Sequence, residues 1–298
     1  MKVGIIGLGK MGNAIAYRLL QGGHEVVGFD LNEDALRSAQ QVGVEAVDSI
    51  QDVAKKSLVI WLMVPVGEAV DSTIAKLIGG VQKEIIVIDG GNSNFEDSIK
   101  RYEHLKKEGI CFLDCGTSGG LHGREFGFSL VIGGDKRAYE KIIPILKSIA
   151  AVDGFAYMGE SGSGHYVKMV HNAIEYGLLQ AYAEGFHLLK EGQYKNLDLE
   201  KISSVWMNGS IIRSWILQLL HQVFAEKKDF TKIIGEIAEG GTGRWAVEEA
   251  KKQGISVRVL EESLHIREWS RQTGGNFATK IVALLRNKFG GHDVKIKN

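Results

Sequence analysis

Residues 4–12 read "GIIGLGKMG", and how they are read decides the fold of the first half of the chain. A β-branched run, "KVGIIGL" at 2–8, ends in Gly7-x-Gly9-x-x-Gly12 and passes directly into "MGNAIAYRLLQGG", whose apolar positions recur with a helical period. A strand turning on three glycines into a helix has a physical use. The first glycine permits the tight turn, the second lets a pyrophosphate approach the backbone, and the third lets helix and strand pack closely. The N–H groups of the first helical turn and the positive end of its dipole then face the phosphates. The next run, "EVVGFD", ends in Asp30, 23 residues after Gly7. A carboxylate there accepts hydrogen bonds from the hydroxyls of an adenosine ribose. Together these signals predict a dinucleotide site built from Gly7, Leu8, Gly9, Lys10, Met11, Gly12 and Asp30. Asp30 would repel the extra phosphate of NADP. The following "LNEDAL" supplies Glu33 and Asp34, with Arg37 the nearest cation a helical turn further on. NAD is therefore the expected cofactor, with NADP the weaker alternative.

Outward from this turn, "LVIWLMV", "IIVIDGG", "ICFLDCG" and "FSLVIGG" read as further strands separated by helical segments such as "NEDALRSAQQVG". Val64, closing the strand at 58–64, and Asn92, just after "IIVIDGG", are expected at the same cofactor crevice. Strands alternating with helices imply right-handed βαβ units and a mainly parallel, doubly wound sheet of the Rossmann type. Near residue 158 the texture changes to long helical stretches, 165–191 and 199–225. The glycines of "GESGSGHYVK" at 159–168 mark the join. The expected architecture is α/β: a dinucleotide-binding domain over 1–158, then an all-helical domain over 159–298 for substrate binding and dimerisation.

Composition narrows the function classes. The 298 residues are 44% hydrophobic, enough for a sizeable core, and no apolar run is long enough to span a membrane. The apolar N-terminus is interrupted by glycines and reads as a strand, not a signal peptide. Lys+Arg and Asp+Glu balance at 36 each, so no global field recruits nucleic acid or an anionic membrane. Cys111 and Cys115, four apart in one strand, are poor metal spacing and read as ordinary thiols in a reducing, cytoplasmic setting. The nine histidines show no H-x-x-x-H or H-E-x-x-H spacing, and no metal is expected.

One segment carries the chemistry: "KMVHNAIEYG" at 168–177. A helix starting near Gly164, with a serine as its cap, puts Lys168 close to a helix N-terminus. The dipole there, like burial, disfavours the ammonium and suits the amine to general-base work. Lys168, Asn172 and Glu175 are spaced i, i+4, i+7 on one face, with Lys168 and Glu175 roughly 10 Å apart along the axis. His171 lies on the same side. A solvated stripe would carry neighbouring charges, yet the flanks are Met169, Val170, Ala173, Ile174, Leu178 and Leu179. An active-site helix is the better reading.

At this point the chain resembles the decarboxylating 6-phosphogluconate dehydrogenases, in a short form lacking most of the longer enzymes' second helical repeat. The resemblance covers nearly the whole chain through "GLGKMG", "DGGNSNFEDS", "GTSGGLHGREFG", "GHYVKMVHNAIEYG", "GGTGRW" and "RNKFGGH". The wider β-hydroxyacid dehydrogenase superfamily shares the glycine turn, the serine–glycine–glycine turn and a K-x-x-x-N. The H-N-x-x-E that adds His171 and Glu175 is the narrower mark. The resemblance implies oxidation at C3 with Lys168 as base, decarboxylation, and protonation by Glu175 to ribulose 5-phosphate, with His171, Asn172 and Ser118 completing the catalytic set. It implies that Asn92, Ser118, Gly119, Gly120, His171 and Asn172 hold the carboxylate and hydroxyls. Tyr176, Thr242, Arg267 and Arg286 would hold the 6-phosphate. Arg286 and His292 keep the family's R-x5-H spacing in a tail that reaches the neighbouring subunit, which implies a homodimer or tetramer. The pathway context would be the pentose phosphate route or gluconate utilisation. Three departures stand out: Gly240 replaces a lysine before "GTG", Leu121 and His122 replace an acidic pair, and Phe128 replaces a proline. A dehydrogenase of a small acid such as 3-hydroxyisobutyrate would use Gly7, Ser118, Lys168 and Asn172 but leaves Glu175, Arg267 and the tail without purpose. A non-enzymatic NAD sensor would predict a damaged catalytic helix, and this one is intact.

Overall fold

Strand β1 (Lys2–Ile6) shows why a sheet forms here with helices on both sides. Val3 and Ile5 point into one apolar cluster and Ile6 into another, each fully or almost fully buried. The same division recurs in β4 (Val59–Leu62), where Val59 and Trp61 face one way and Ile60 and Leu62 the other. Two-sided burial explains the continuous apolar runs. Each fully buried Ile or Leu contributes about 1.5–3 kcal/mol.

The structure is a computed structural model and describes residues 1–79, 85–227 and 229–297. The chain forms two compact units, Met1–Met169 and Val170–Asn298. Between β1 and β4 the first unit places α1 (Lys10–Gln21), β2 (Glu25–Phe29), α2 (Glu33–Gln41), β3 (Glu45–Ala46) and α3 (Ile50–Lys56). It continues with α4 (Glu68–Ile78), β5 (Ile86–Asp89), α5 (Phe95–Lys107), β6 (Cys111–Ser118), a one-turn α6 (Gly123–Phe126), β7 (Phe128–Gly134), α7 (Lys136–Ile149) and β8 (Ala150–Gly159). Helix α8 (Ser163–Glu191) starts in this unit and continues into the next. The second unit adds α9 (Leu199–Met207), α10 (Trp215–Glu226), α11 (Thr242–Lys252), α12 (Arg258–Thr273) and α13 (Phe277–Gly290).

The sheet order is β3-β2-β1-β4-β5-β6-β7-β8, parallel throughout except between β6 and β7. The winding reverses between β1 and β4, and the crevice at the carboxyl ends of such strands is where α/β sheets bind ligands. Gly7 sits there, its N–H donating to Phe29 O at 2.9 Å while Met63 N–H donates to Ile6 O at 2.8 Å. In the second unit, Phe186 of α8, Leu220 and Phe224 of α10, and Ile281 and Leu285 of α13 form the core. Asn276 and Thr279 close a reciprocal capping box at the start of α13.

Three features differ from the sequence reading. β3 and β8 were not among the expected strands. β3 has two residues, and β8 is an edge strand, much of it exposed and interrupted by Asp153 at φ 56°, so neither offers a period-two apolar signal. The expected helical stretch 199–225 is two helices. Gly209, at φ 87°, ends the first, and Ser214 starts the second by accepting Leu217 N–H at 3.0 Å. The third difference concerns the cap of α8 and belongs with the site.

Candidate active site

The three glycines behave differently. Gly7 has φ 94°, and a Cβ there would lie 2.5 Å from Met63 O. A Cβ on Gly12 would lie 1.9 Å from Gly7 O, so only glycine lets α1 close on the turn. At Gly9 a Cβ would meet nothing within 4 Å, leaving open space above the turn. The N-terminus of α1 has no side-chain cap and no acidic residue in its first turn. Uncapped N–H groups beside open space suit a pyrophosphate. Asp30 braces the turn: its Oδ2 accepts Leu8 N–H at 2.6 Å and its Oδ1 accepts Asn32 N–H at 2.8 Å. Half-exposed, it keeps lone pairs for a ribose. Arg37 is engaged by Glu33 at 3.3 Å and Asp34 at 2.6 Å, so the nearest cation is already neutralised. Lys10 and Met11 open α1, Leu8 is buried, and half-buried Val64 ends the β4 segment beside Gly7. These residues fit a dinucleotide, and NAD better than NADP.

Two neighbouring strand ends carry further predicted residues. Asn92 is exposed in the turn after β5. That turn is held by Asp89, which accepts Ser93 Oγ–H at 2.7 Å, Gly91 N–H at 3.2 Å and the Arg101 guanidinium at 3.3 Å. At the end of β6, Thr117 Oγ1 donates to Gly90 O at 3.1 Å and ties the two turns together. Ser118 follows, then Gly119 and Gly120 at φ 134° and 53°, where consecutive N–H groups can converge on an anion.

Lys168 is 6% exposed and packs on the same strand. A Cβ on Gly116 would lie 2.3 Å from Lys168 Cβ, so this glycine lets α8 settle on β6 two residues before Ser118. The helix start is not capped by serine as expected. Ser163 Oγ is buried with no hydrogen-bond partner. Asp114 of β6 caps instead, its Oδ1 accepting Gly162 N–H at 2.7 Å and its Oδ2 accepting His165 N–H at 2.8 Å. A carboxylate also opposes the helix dipole better than a hydroxyl does. His165 Nδ1 is 2.7 Å from Ser98 Oγ, which fixes α8 against α5.

In the second unit the structure gathers Asn172, Tyr176, Thr242, Arg267 and Arg286. Asn172 Nδ2 donates to Thr242 Oγ1 at 3.2 Å, and Asn172 Oδ1 is 3.1 Å from Nδ1 of the exposed His171. The Arg267 guanidinium lies 3.3 Å from the centroid of the Tyr176 ring. Gly243 backs that ring, since a Cβ there would lie 2.5 Å from Tyr176 Cε2. Arg267 is 2% exposed and Arg286 8%. Burial and, less strongly, the Arg286 charge hold the Arg267 guanidinium down to about 10, with Tyr176, Glu175 and Glu239 offsetting part of this. Burial likewise lowers Arg286, against the pull of Tyr176 and Glu175. Two buried guanidiniums whose charges repel each other present donors of the geometry that suits an anion. His292 lies past the end of α13, its ring edge-on to Phe289, with its carbonyl accepting Asn287 Nδ2–H at 2.8 Å.

The sequence reading missed the residues that hold the site. Asp89, Arg101 and Asp114 act through partners elsewhere in the chain. Glu239 does too: it takes Arg244 through both oxygens at 3.0 Å and Arg271 at 3.4 Å, fixing the segment before Thr242. Charged residues inside apolar runs, such as Asp114 in "FLDCG", were the available signal. Neither cysteine forms a disulfide; Cys115 is buried, which raises its pKa, and Cys111 is half-buried. Among the described residues no group of three or more His, Cys, Asp or Glu is placed to hold a metal ion, and no helix is long and apolar enough to cross a membrane.

Comparison with known proteins agrees with this geometry. Residues 2–190 match the NAD binding domain of 6-phosphogluconate dehydrogenase, and residues 164–293 match the 6-phosphogluconate dehydrogenase C-terminal domain. The chain is 45% identical to a 6-phosphogluconate dehydrogenase of Haloferax volcanii, described as NAD(+)-dependent and decarboxylating, over 100% of both chains. It is similar to the Plasmodium falciparum 6-phosphogluconate dehydrogenase solved with NADP+ and with 6-phosphogluconate, at 27% identity and a TM-score of 0.81, covering 97% of this chain and 70% of that one. A Mycobacterium tuberculosis 3-hydroxyisobutyrate dehydrogenase shares the fold at 19% identity and a TM-score of 0.76, covering 96% of this chain and 99% of that one.

Proposed function

This chain belongs to the 6-phosphogluconate dehydrogenase family, and on that premise we propose that it converts 6-phospho-D-gluconate to D-ribulose 5-phosphate and CO2 with reduction of NAD. The observation that carries the substrate is the Arg267–Tyr176–Arg286 cluster, because a small unphosphorylated hydroxy acid, its one carboxylate held at the Ser118–Gly120 turn, has no second anion for two buried guanidiniums.

The turn at Gly7–Gly12 and Asp30 hold the dinucleotide, with Val64 and Asn92 beside it. When bound, the nicotinamide supplies the hydride acceptor for the C3 carbon. Lys168 enters as the neutral amine, favoured by burial, and takes the proton of the 3-hydroxyl. As an ammonium it then donates to the new C3 carbonyl. Breaking the C1–C2 bond releases CO2, and its electron pair moves onto C2 and C3 as an enediolate that the Lys168 charge stabilises. Glu175, as a carboxylic acid, protonates the former C2 to give the ketose phosphate. Ser118, Gly119, Gly120, Asn92, His171 and Asn172 hold the carboxylate and hydroxyls, and Tyr176, Thr242, Arg267 and Arg286 the phosphate. In this reading residues 1–158 serve the cofactor, residues 159–298 serve the sugar acid and subunit pairing, and His292 acts in a neighbouring subunit of a homodimer or tetramer. The enzyme works in the cytoplasm, with no nucleic acid or membrane partner, in pentose phosphate or gluconate metabolism.

The test is turnover of 6-phosphogluconate with NAD and with NADP, following reduced nicotinamide and CO2 together. Equal release of both, faster with NAD and lowered by orders of magnitude in Lys168→Ala, is expected. Reduced nicotinamide without CO2 would remove Glu175 from its role. Turnover of a small hydroxy acid alone would overturn the proposal.

A further inference from the structure

Arg18, in the last turn of α1, makes an unusual set of contacts. Its guanidinium donates to five backbone carbonyls from two separate segments. Nε reaches Ile149 O at 2.8 Å and Ser148 O at 3.2 Å, and Nη2 reaches Ala150 O at 3.4 Å, all at the end of α7. Nη1 reaches Glu125 O at 3.4 Å and Arg124 O at 3.5 Å, at the end of α6. One side chain thus serves carbonyls that two helix C-termini leave without helical partners. The planar fork of arginine can do this where a lysine ammonium cannot span both. The preceding residue acts on the same loop, since the Arg124 guanidinium lies 4.3 Å from the centroid of the Tyr17 ring.

The loop held in this way is 119–127. Its Leu121, Arg124, Glu125 and Phe126 are exposed, and its own anchors are Gly123 against the Phe128 ring and Gly127 against Ala151. It is also where Leu121 and His122 depart from the family's acidic pair. Nothing in the cofactor or sugar-acid roles above uses Tyr17, Arg18 or Arg124.

We propose that Arg18 is a positioning residue: with Tyr17 it clamps the 119–127 loop onto α1, so that the helix opening the dinucleotide site also sets the Gly119–Gly120 anion turn. This rests on the reading of Ser118–Gly120 as the holder of the sugar acid's carboxylate. The bonds to α7 are the shorter ones, so a purely structural role for Arg18 is the competing account. The two differ in what they change. A cap on α7 affects only stability, whereas a clamp on the loop affects substrate binding while leaving the phosphate-binding turn of α1 in place.

The experiment compares Arg18→Met, Arg18→Lys, Arg124→Ala and Ser118→Ala in the full-length enzyme. It measures kcat and KM for 6-phosphogluconate, NAD affinity, and the rate of native-state tryptic cleavage after Arg124 in all but the Arg124 variant. The clamp predicts that Arg18→Met raises KM about tenfold at unchanged NAD affinity, by misplacing the turn. Cleavage after Arg124 should accelerate, and Arg18→Lys should recover part of both effects. Arg124→Ala, an exposed change that spares the fold, should raise KM in the same direction by less. Arg18→Met with lowered thermal stability and unchanged KM overturns the clamp. If that variant does not fold, unchanged KM in Arg124→Ala overturns it. Ser118→Ala separates the two failures: unchanged KM there overturns the reading of the turn and the clamp with it. Loss in Ser118→Ala with none in Arg18→Met or Arg124→Ala overturns the clamp alone.

Discussion

Arg101 and Arg267 are buried to a similar degree, at 5% and 2% exposure, one in each unit. Their surroundings are opposite. Arg101 meets two carboxylates, Asp71 at 2.7 Å and Asp89 at 3.3 Å, and donates to Gly67 O at 3.2 Å. Arg267 has the face of Tyr176, a long bond to Ala238 O at 3.4 Å, and a second guanidinium nearby. Of the two carboxylates that pull on its charge, Glu175 and Glu239, the second is bonded to Arg244 and Arg271. A buried charge neutralised from within the chain is scaffold. A buried charge held beside a second cation suits the anion-binding role proposed for Arg267, and such a charge is held at a cost to stability.

If that contrast is right, removing the two arginines should have opposite consequences. The largest effect is expected for Arg101→Met. It leaves Asp89, 1% exposed, with Ser93 and Gly91 as its partners among the described residues, and should lower unfolding free energy by about 3–5 kcal/mol. A chemical denaturation series reads this directly; a loss below about 1 kcal/mol would mean that the pair is not structural. The half-exposed Asp71 is the minor partner.

Arg267→Met should leave stability unchanged or higher, because it removes an under-neutralised charge. Its effect should appear in kinetics, as a fall in kcat/KM for 6-phosphogluconate of about 30-fold to 1,000-fold. Turnover of unphosphorylated gluconate should hardly change. Equal loss with both acids, or a stability loss matching that of Arg101→Met, would erase the distinction between the two sites.

Gly243→Ala probes how the second site is built without touching a charge. The new methyl would sit 2.5 Å from Tyr176 Cε2 and push the ring on which Arg267 stacks. Gly243 is inside α11, where alanine is favoured over glycine by about 1 kcal/mol. KM should therefore rise about tenfold with little loss of stability. An unchanged KM would mean that the stack does not set the guanidinium.

The same contrast explains what could be read from the sequence. The glycine turn, the apolar strands and the spacing along "KMVHNAIEYG" are patterns within about a dozen residues, and local geometry decides them. The cap of α8 is not local: Ser163 was the neighbour in sequence, yet Asp114, some fifty residues earlier, takes the buried N–H groups of the first turn. Arg18 and Arg101 reach likewise across the chain. Nothing in their own segments distinguishes them from surface arginines. The break at 208–214 was legible in principle, since an Asn-Gly pair precedes a capping serine, but the apolar residues on either side gave a continuous helical period. For Arg267 and Arg286 the assignment came through resemblance. Only the fold shows that both are buried and lie close enough for the Arg286 charge to act on Arg267.

The smallest expected effect concerns pH. Burial holds the Arg267 guanidinium down to about 10 in the empty protein, and only its charged form attracts a phosphate. A bound dianion favours the charged form and raises its pKa, so binding takes up a proton wherever the empty site has lost one. The substrate's phosphate ester has a second pKa of about 6 and is a dianion throughout the alkaline range. Affinity should therefore be flat from pH 8 to 9. It should weaken about twofold at pH 10 and then fall tenfold per further unit, following the proton count of one group. Direct binding of 6-phosphogluconate in the absence of cofactor, compared between wild type and Arg267→Met, isolates this dependence. The variant should bind weakly with no inflection near pH 10. An inflection that persists in the variant would belong to another group, and the account of Arg267 as a charge waiting for its anion would lose its thermodynamic support.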